Sequence, residues 1–168
     1  LVKPNFTNYI MFFVIPSNKI DYKSIFYGEK VDNIILKDSL FVKLFYSTNN
    51  IILNGIYISA DLSMNYRSME THSKVSFERN NYFFYVIEKL NDIENTILNN
   101  FCKWNHEVIN KNKNVKIKQQ LSRPYIKIPY NLNKDYTQIL IKISGIWITE
   151  TEYGITYKFI PIVKQSFE

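Results

Sequence analysis

The chain has 168 residues, 46% of them hydrophobic and 21% charged, with one cysteine, two histidines and a formal net charge of +6. That length supports one domain with its own core, and the composition excludes a disordered polymer, a disulfide scaffold and a His/Cys metal centre. Residues 1–102 hold ten bases and ten acids and residues 128–168 hold four of each, so the whole excess lies between Lys103 and Lys127.

Tyr9 to Ile15 reads as a buried strand stopped by Pro16, and Val31 to Lys37 as a short strand or a turn of helix, both in an N-terminal extension over 1–38. Leu40 to Tyr46 and Ile51 to Ile58 are β-branched and aromatic runs joined by the turn residues Ser47 to Asn50, a hairpin pattern. Lys74 to Glu78 alternates, with Val75 and Phe77 apolar, as a half-exposed strand does. Val86, Leu90, Ile93, Ile97, Phe101, Trp104 and Val108 then recur at steps of three and four. This stripe predicts an amphipathic helix over about 82–108, capped by Asn80 or Asn81.

Val115 to Lys118 and Tyr125 to Ile128 alternate again and are expected to be strands. In the long run Tyr136 to Thr149, Ile139, Ile141, Ile143 and Trp147 share one parity, and Gly145 predicts a bulge or bend. Glu150 to Gly154 reads as a turn with Gly154 at positive φ, and Ile155 to Val163 as the returning arm. Three strands, one long helix and two more strands are the order of a five-stranded Greek-key barrel, the oligonucleotide/oligosaccharide-binding (OB) fold. The expected fold class is therefore mainly β: one domain over 1–168, an OB-like β-barrel over 39–168 with a long amphipathic helix between strands 3 and 4, and the N-terminal extension.

Catalysis is not expected. His72 and His106 are far apart, Cys102 lies on the apolar stripe, and the four glycines stand alone and form no phosphate loop. Asp61, Glu70 and Glu78 with Lys74 match no nuclease spacing, and neither cofactor nor metal is expected. The longest apolar run, Ile10 to Ile15, is too short to cross a bilayer, and no basic-then-apolar leader precedes it. The expectation is an intracellular protein that is neither secreted nor membrane-bound.

A local excess of lysine suits a polyanion, and an unpaired strand needs only a basic groove and flat rings on which bases stack. Lys103, Lys111, Lys113, Lys116, Lys118, Arg123 and Lys127 are the candidate groove, extended by Lys142 and Lys158 of the C-terminal hairpin. Tyr125, Tyr153 and Tyr157 are the candidate stacking rings, with Tyr130 and Tyr136 nearby, whereas Trp104 and Trp147 are assigned to the core. The competing reading is a structural or protein-interaction module, viral in setting, that oligomerises through exposed edges without nucleic acid.

The stretch ISGIWITETEYGITYKF, Ile143 to Phe159, resembles the closing hairpin of single-stranded DNA-binding proteins of large eukaryotic DNA viruses. FYSTNNIILNGIY, Phe45 to Tyr57, is similar to their early hairpin, and the two stretches cover about a fifth of the chain. The resemblance implies a non-catalytic replication or recombination protein that coats displaced strands as a homo-oligomer. Its implied partners are single-stranded DNA, with RNA as the alternative polymer, and other replication proteins. Its implied location is the nucleus or a cytoplasmic viral replication site. Gly145, Trp147, Gly154, Tyr157 and Lys158 fall within the matching stretch.

Overall fold

The computed structural model describes residues 14–60, 62–129 and 138–162. In chain order these form β1 (Ile15–Pro16), β2 (Ile25–Asp32), β3 (Leu40–Ser47), β4 (Ile52–Asn54), β5 (Ile56–Ser59), β6 (Met64–Ser68) and β7 (Ser73–Phe77). After them come α1 (Asn81–Trp104), β8 (Asn112–Asn114), α2 (Ile117–Leu121), β9 (Ile126–Ile128), β10 (Gln138–Ile148) and β11 (Glu152–Ile162). The expected strand Tyr9 to Ile15 falls mostly outside the described residues.

The β10–β11 hairpin is the spine of an eight-stranded mixed sheet. One edge of β10 pairs with β11, and the other is divided between two partners. Leu140 to Ile143 pair with β5, and Gly145 to Ile148 pair with β3. The changeover falls at a bulge between Ile143 and Gly145, where the sequence predicts one. The expected second arm Ile51 to Ile58 is likewise broken in two at Gly55, whose φ is +91°. A side chain there would also meet Ile143 O at 2.4 Å, so only glycine lets β4 stay with β3 while β5 crosses to β10.

This sheet is open, and the closed OB-like barrel with five core strands and one long helix is not formed. Instead of closing, the sheet grows at its margins: β1 adds parallel to β5, β8 adds parallel to β11, and β2 takes the outer side of β3. A second sheet of three strands, β6-β7-β9, stands apart from it.

The predicted helix forms with Asn80 as its cap, the side chain accepting from Phe83 N–H at 2.9 Å. It ends at Trp104, and a short 3-10 turn, His106–Val108, carries the last apolar position into the core. Its stripe of Phe83, Val86, Leu90, Ile93, Ile97 and Phe101 packs with the inward residues of both sheets: Val42, Leu44, Ile56, Ile58, Ile141 and Ile143 from the large one, Val75, Ile126 and Ile128 from the small one. One core thus serves both sheets.

Val115 to Lys118, expected as a strand, instead turns into the second helix, α2, while the preceding Asn112–Asn114 is the strand. The cause is tertiary. The Glu94 carboxylate accepts the backbone N–H groups of Lys116 (3.0 Å) and Ile117 (2.8 Å), a helix start supplied from α1 rather than by any local capping side chain. The turn of the C-terminal hairpin also differs from expectation. Thr149 N–H donates to Glu152 O, and Gly154 lies within β11 opposite Trp147, not at positive φ.

Candidate functional site

The basic connector does not form one trough. Lys103 is exposed in the last turn of α1. Lys111 Nζ donates to Thr149 O (2.9 Å) and Glu150 O (2.6 Å), fastening the hairpin turn. Lys113 Nζ donates to Asn99 Oδ1 at 2.9 Å, and Lys118 pairs with Glu88. These groups are dispersed along α1 and the β8 edge, and most are already occupied. Lys116 is exposed, with its ammonium 6.0 Å from the centre of the Trp147 ring.

Two of the candidate stacking rings are packing residues. In β11 the odd positions face the core, so Tyr153 is only 4% exposed against Phe101, and burial pushes its phenol up to about 12. Tyr157 is half-buried; its hydroxyl donates to Gln120 Oε1, its ring meets Phe159 edge-on, and burial raises its pKa as well. Tyr125 is exposed as expected. Tyr130 and Tyr136 lie outside the described residues.

What the fold does bring together is a row of cations across the small sheet. Arg67 is directly opposite Lys74, and Lys74 is directly opposite Lys127. Directly opposed residues share a face. The alternate row, Tyr66, Val75 and Ile126, turns toward the core, which leaves the three cations pointing outward. The Lys74 ammonium stands 4.6 Å from the centre of the Tyr125 ring. Arg79 holds the adjacent loop by donating to Ser122 O (2.7 Å) and Arg123 O (2.9 Å).

Two linked hollows connect this row to the large sheet. One, about 360 Å³, is lined by Gln120, Arg123, Pro124, Tyr125, Ile126 and Lys127. The other, about 230 Å³, shares Gln120 and Lys127 and reaches Tyr157, Lys158 and Phe159. Lys158 is directly opposite Lys142, and Lys142 is directly opposite Tyr57, with its ammonium 4.9 Å from that ring's centre. A second cation row therefore begins where the first ends.

Arg67 and Lys74 were not among the residues singled out by the sequence as binding positions. The strand of Lys74 alternates in the expected way, whereas that of Arg67 was not anticipated, and the pairing that aligns both with Lys127 joins segments more than fifty residues apart. Trp147, assigned to the core, faces the other way. The bulge at Gly145 switches parity, so Ile146 and Ile148 turn inward and Trp147 lands on the outer face with Lys142 and Lys158.

A wider cavity of about 690 Å³ beside the β2–β3 connection suits an anion poorly. Asp32, Asp38, Glu107 and Glu150 line it against Lys37 and Lys111. Among the described residues no group of His, Cys, Asp or Glu is placed to hold a metal ion, and no helix is long and apolar enough to cross a membrane. No protein-family model, curated protein or solved structure matches the chain.

Proposed function

We propose that this chain binds single-stranded DNA without catalysis and with tolerance for sequence, in support of replication or recombination. The observation that carries this reading is the alignment of like charges: Arg67–Lys74–Lys127 across three strands and Lys142–Lys158 across two, meeting where Lys127 and Lys158 line one hollow. Directly opposed like charges cost a sheet a few tenths to about 1 kcal/mol per pair. The ion pairs Lys30–Glu107 and Lys118–Glu88 lie elsewhere, and among the described residues neither row has a carboxylate in its register. A run of phosphates supplies the missing counter-charge. A tyrosine beside each row, Tyr125 and Tyr57, offers a ring to unpaired bases, whereas a duplex keeps its bases stacked on one another. The likeness of the two hairpins to viral single-stranded DNA-binding proteins points the same way, without the barrel.

Titration with a thymidine homopolymer over a range of salt tests the proposal. Five phosphate contacts, at about 0.7 per contact, give a log–log slope of about −3.5. Replacing Lys74, Lys127 and Lys158 with Gln lowers the slope by about two. Replacing Lys111 and Lys113, which serve the fold, leaves it unchanged. A flat salt response, equal affinity for duplex, or a triple variant that binds like the parent refutes the reading. The alternative, a module that assembles without nucleic acid, is favoured by Ile34 (100% exposed) and Ile35 (93% exposed) in the β2–β3 connection. Mass measurement with and without the oligonucleotide separates the two.

A further inference from the structure

Three of the four glycines lie beneath an aromatic ring from a neighbouring strand. A methyl group added to Gly145 would stand 2.4 Å from Phe41 Cζ, one on Gly154 2.7 Å from Trp147 Cζ2, and one on Gly28 3.2 Å from Phe45 Cε2. Each glycine leaves the space in which its ring lies against the backbone. Among the described residues, none of the three rings belongs to the core cluster or packs against it. All three are half-buried on the outer face of the large sheet.

The register makes a belt of them. Phe41 is directly opposite Trp147, Trp147 is directly opposite Gly154, and Phe45 is directly opposite Phe26, itself 53% exposed on β2. Lys142 and Lys158 are on the same face, below the bulge. Toward Leu140, which is buried, this face is closed, whereas from Lys142 to Trp147 its long side chains are partly exposed. The acid nearest Trp147 in the register is Glu152, whose carboxylate accepts from Asn114 Nδ2 at 2.9 Å.

We infer that Phe41, Phe45 and Trp147 are a stacking platform for unpaired nucleobases, a site additional to the two cation rows; the inference rests on the single-strand reading above. An apolar protein partner would need the rings alone. Here an ammonium group stands near two of the three: Lys43 5.3 Å from the centre of Phe45 and Lys116 6.0 Å from that of Trp147. The same pairing recurs at Lys142 with Tyr57 and at Lys74 with Tyr125. A ring with a lysine beside it matches the repeating chemistry of a nucleotide, a flat base next to a phosphate. Bases held this way contribute affinity that salt does not remove.

The test compares a thymidine homopolymer with a base-free deoxyribose-phosphate oligomer of equal length. The parent protein prefers the base-bearing polymer by tenfold or more. Phe41→Leu and Trp147→Leu each lose about tenfold on it, with the salt slope and the affinity for the base-free oligomer unchanged. A Trp104→Phe variant, which leaves Trp147 as the sole tryptophan, reads the same site without touching the belt: its fluorescence is quenched on titration. If the parent binds both polymers equally and Trp147 is not quenched, the platform is refuted while the cation rows stand. If the parent binds neither polymer, both readings fall. If the leucine variants weaken only self-association, the belt is a protein interface and the inference is overturned.

Discussion

Glu94 occupies a position on the inward stripe of α1, one residue after Ile93, and is 1% exposed. An acid there costs free energy unless both oxygens are satisfied, and they are, by the N–H groups of Lys116 and Ile117 that begin α2. Burial pushes its pKa up, and it outweighs the opposing pull of those two hydrogen bonds and of the Lys116 charge. A carboxyl whose folded pKa is raised contributes most below its unfolded pKa and loses that contribution as pH rises through the folded one. Glu94→Gln puts an amide where one N–H needs an acceptor and is expected to cost about 1–3 kcal/mol. In urea unfolding at a series of pH values, the gap between parent and variant should widen as pH falls from neutrality. A gap that narrows would mean that the hydrogen bonds outweigh burial. Gln120, which accepts from the Tyr157 hydroxyl in the hollow between the two cation rows, lies in the short helix that this carboxylate starts.

At the scale of elements, β10 decides most of the architecture. Eleven residues are long enough to serve two neighbours in succession, and the bulge lets the strand turn from β5 to β3 without losing its pairing to β11. A Cβ at Gly145 would meet Val42 O as well as Phe41 Cζ at 2.4 Å, and a backbone oxygen held in a sheet cannot step aside. Gly145→Ala is therefore expected to destabilise by about 1–3 kcal/mol, the usual range for overpacking, with a lowered denaturant midpoint. Full retention of stability would show that β3 and β10 are not held at this spacing. The bulge was legible from a glycine inside a β-branched run. Its consequence was not: counting parity straight through residue 145 places Trp147 inward, and one inserted residue reverses it. The connector shows the opposite limit, since Val-Lys-Ile-Lys alternates like a strand and becomes helical only because a distant carboxylate takes its N–H groups.

For the whole molecule, one apolar core links the two sheets through α1. Ile143 of the large sheet and Ile126 of the small one are 0% and 2% exposed in the same cluster. Ile143→Ala and Ile126→Ala should each cost about 2–5 kcal/mol and shift one shared transition, with tryptophan fluorescence and far-ultraviolet circular dichroism coinciding. Separate transitions would mean that the small sheet is an independent unit. The amino-acid order by itself determined what depends on near neighbours: the helix and its Asn80 cap, most strand segments, the bend at Gly145 and the confinement of net charge to one segment. Only the tertiary structure decided which strands meet, whether the sheet closes, and which cations align. Local signals act over a few residues through backbone geometry and solvent exposure. Registers such as Arg67–Lys74–Lys127 depend instead on how distant segments compete for the same core, and no single segment encodes that competition.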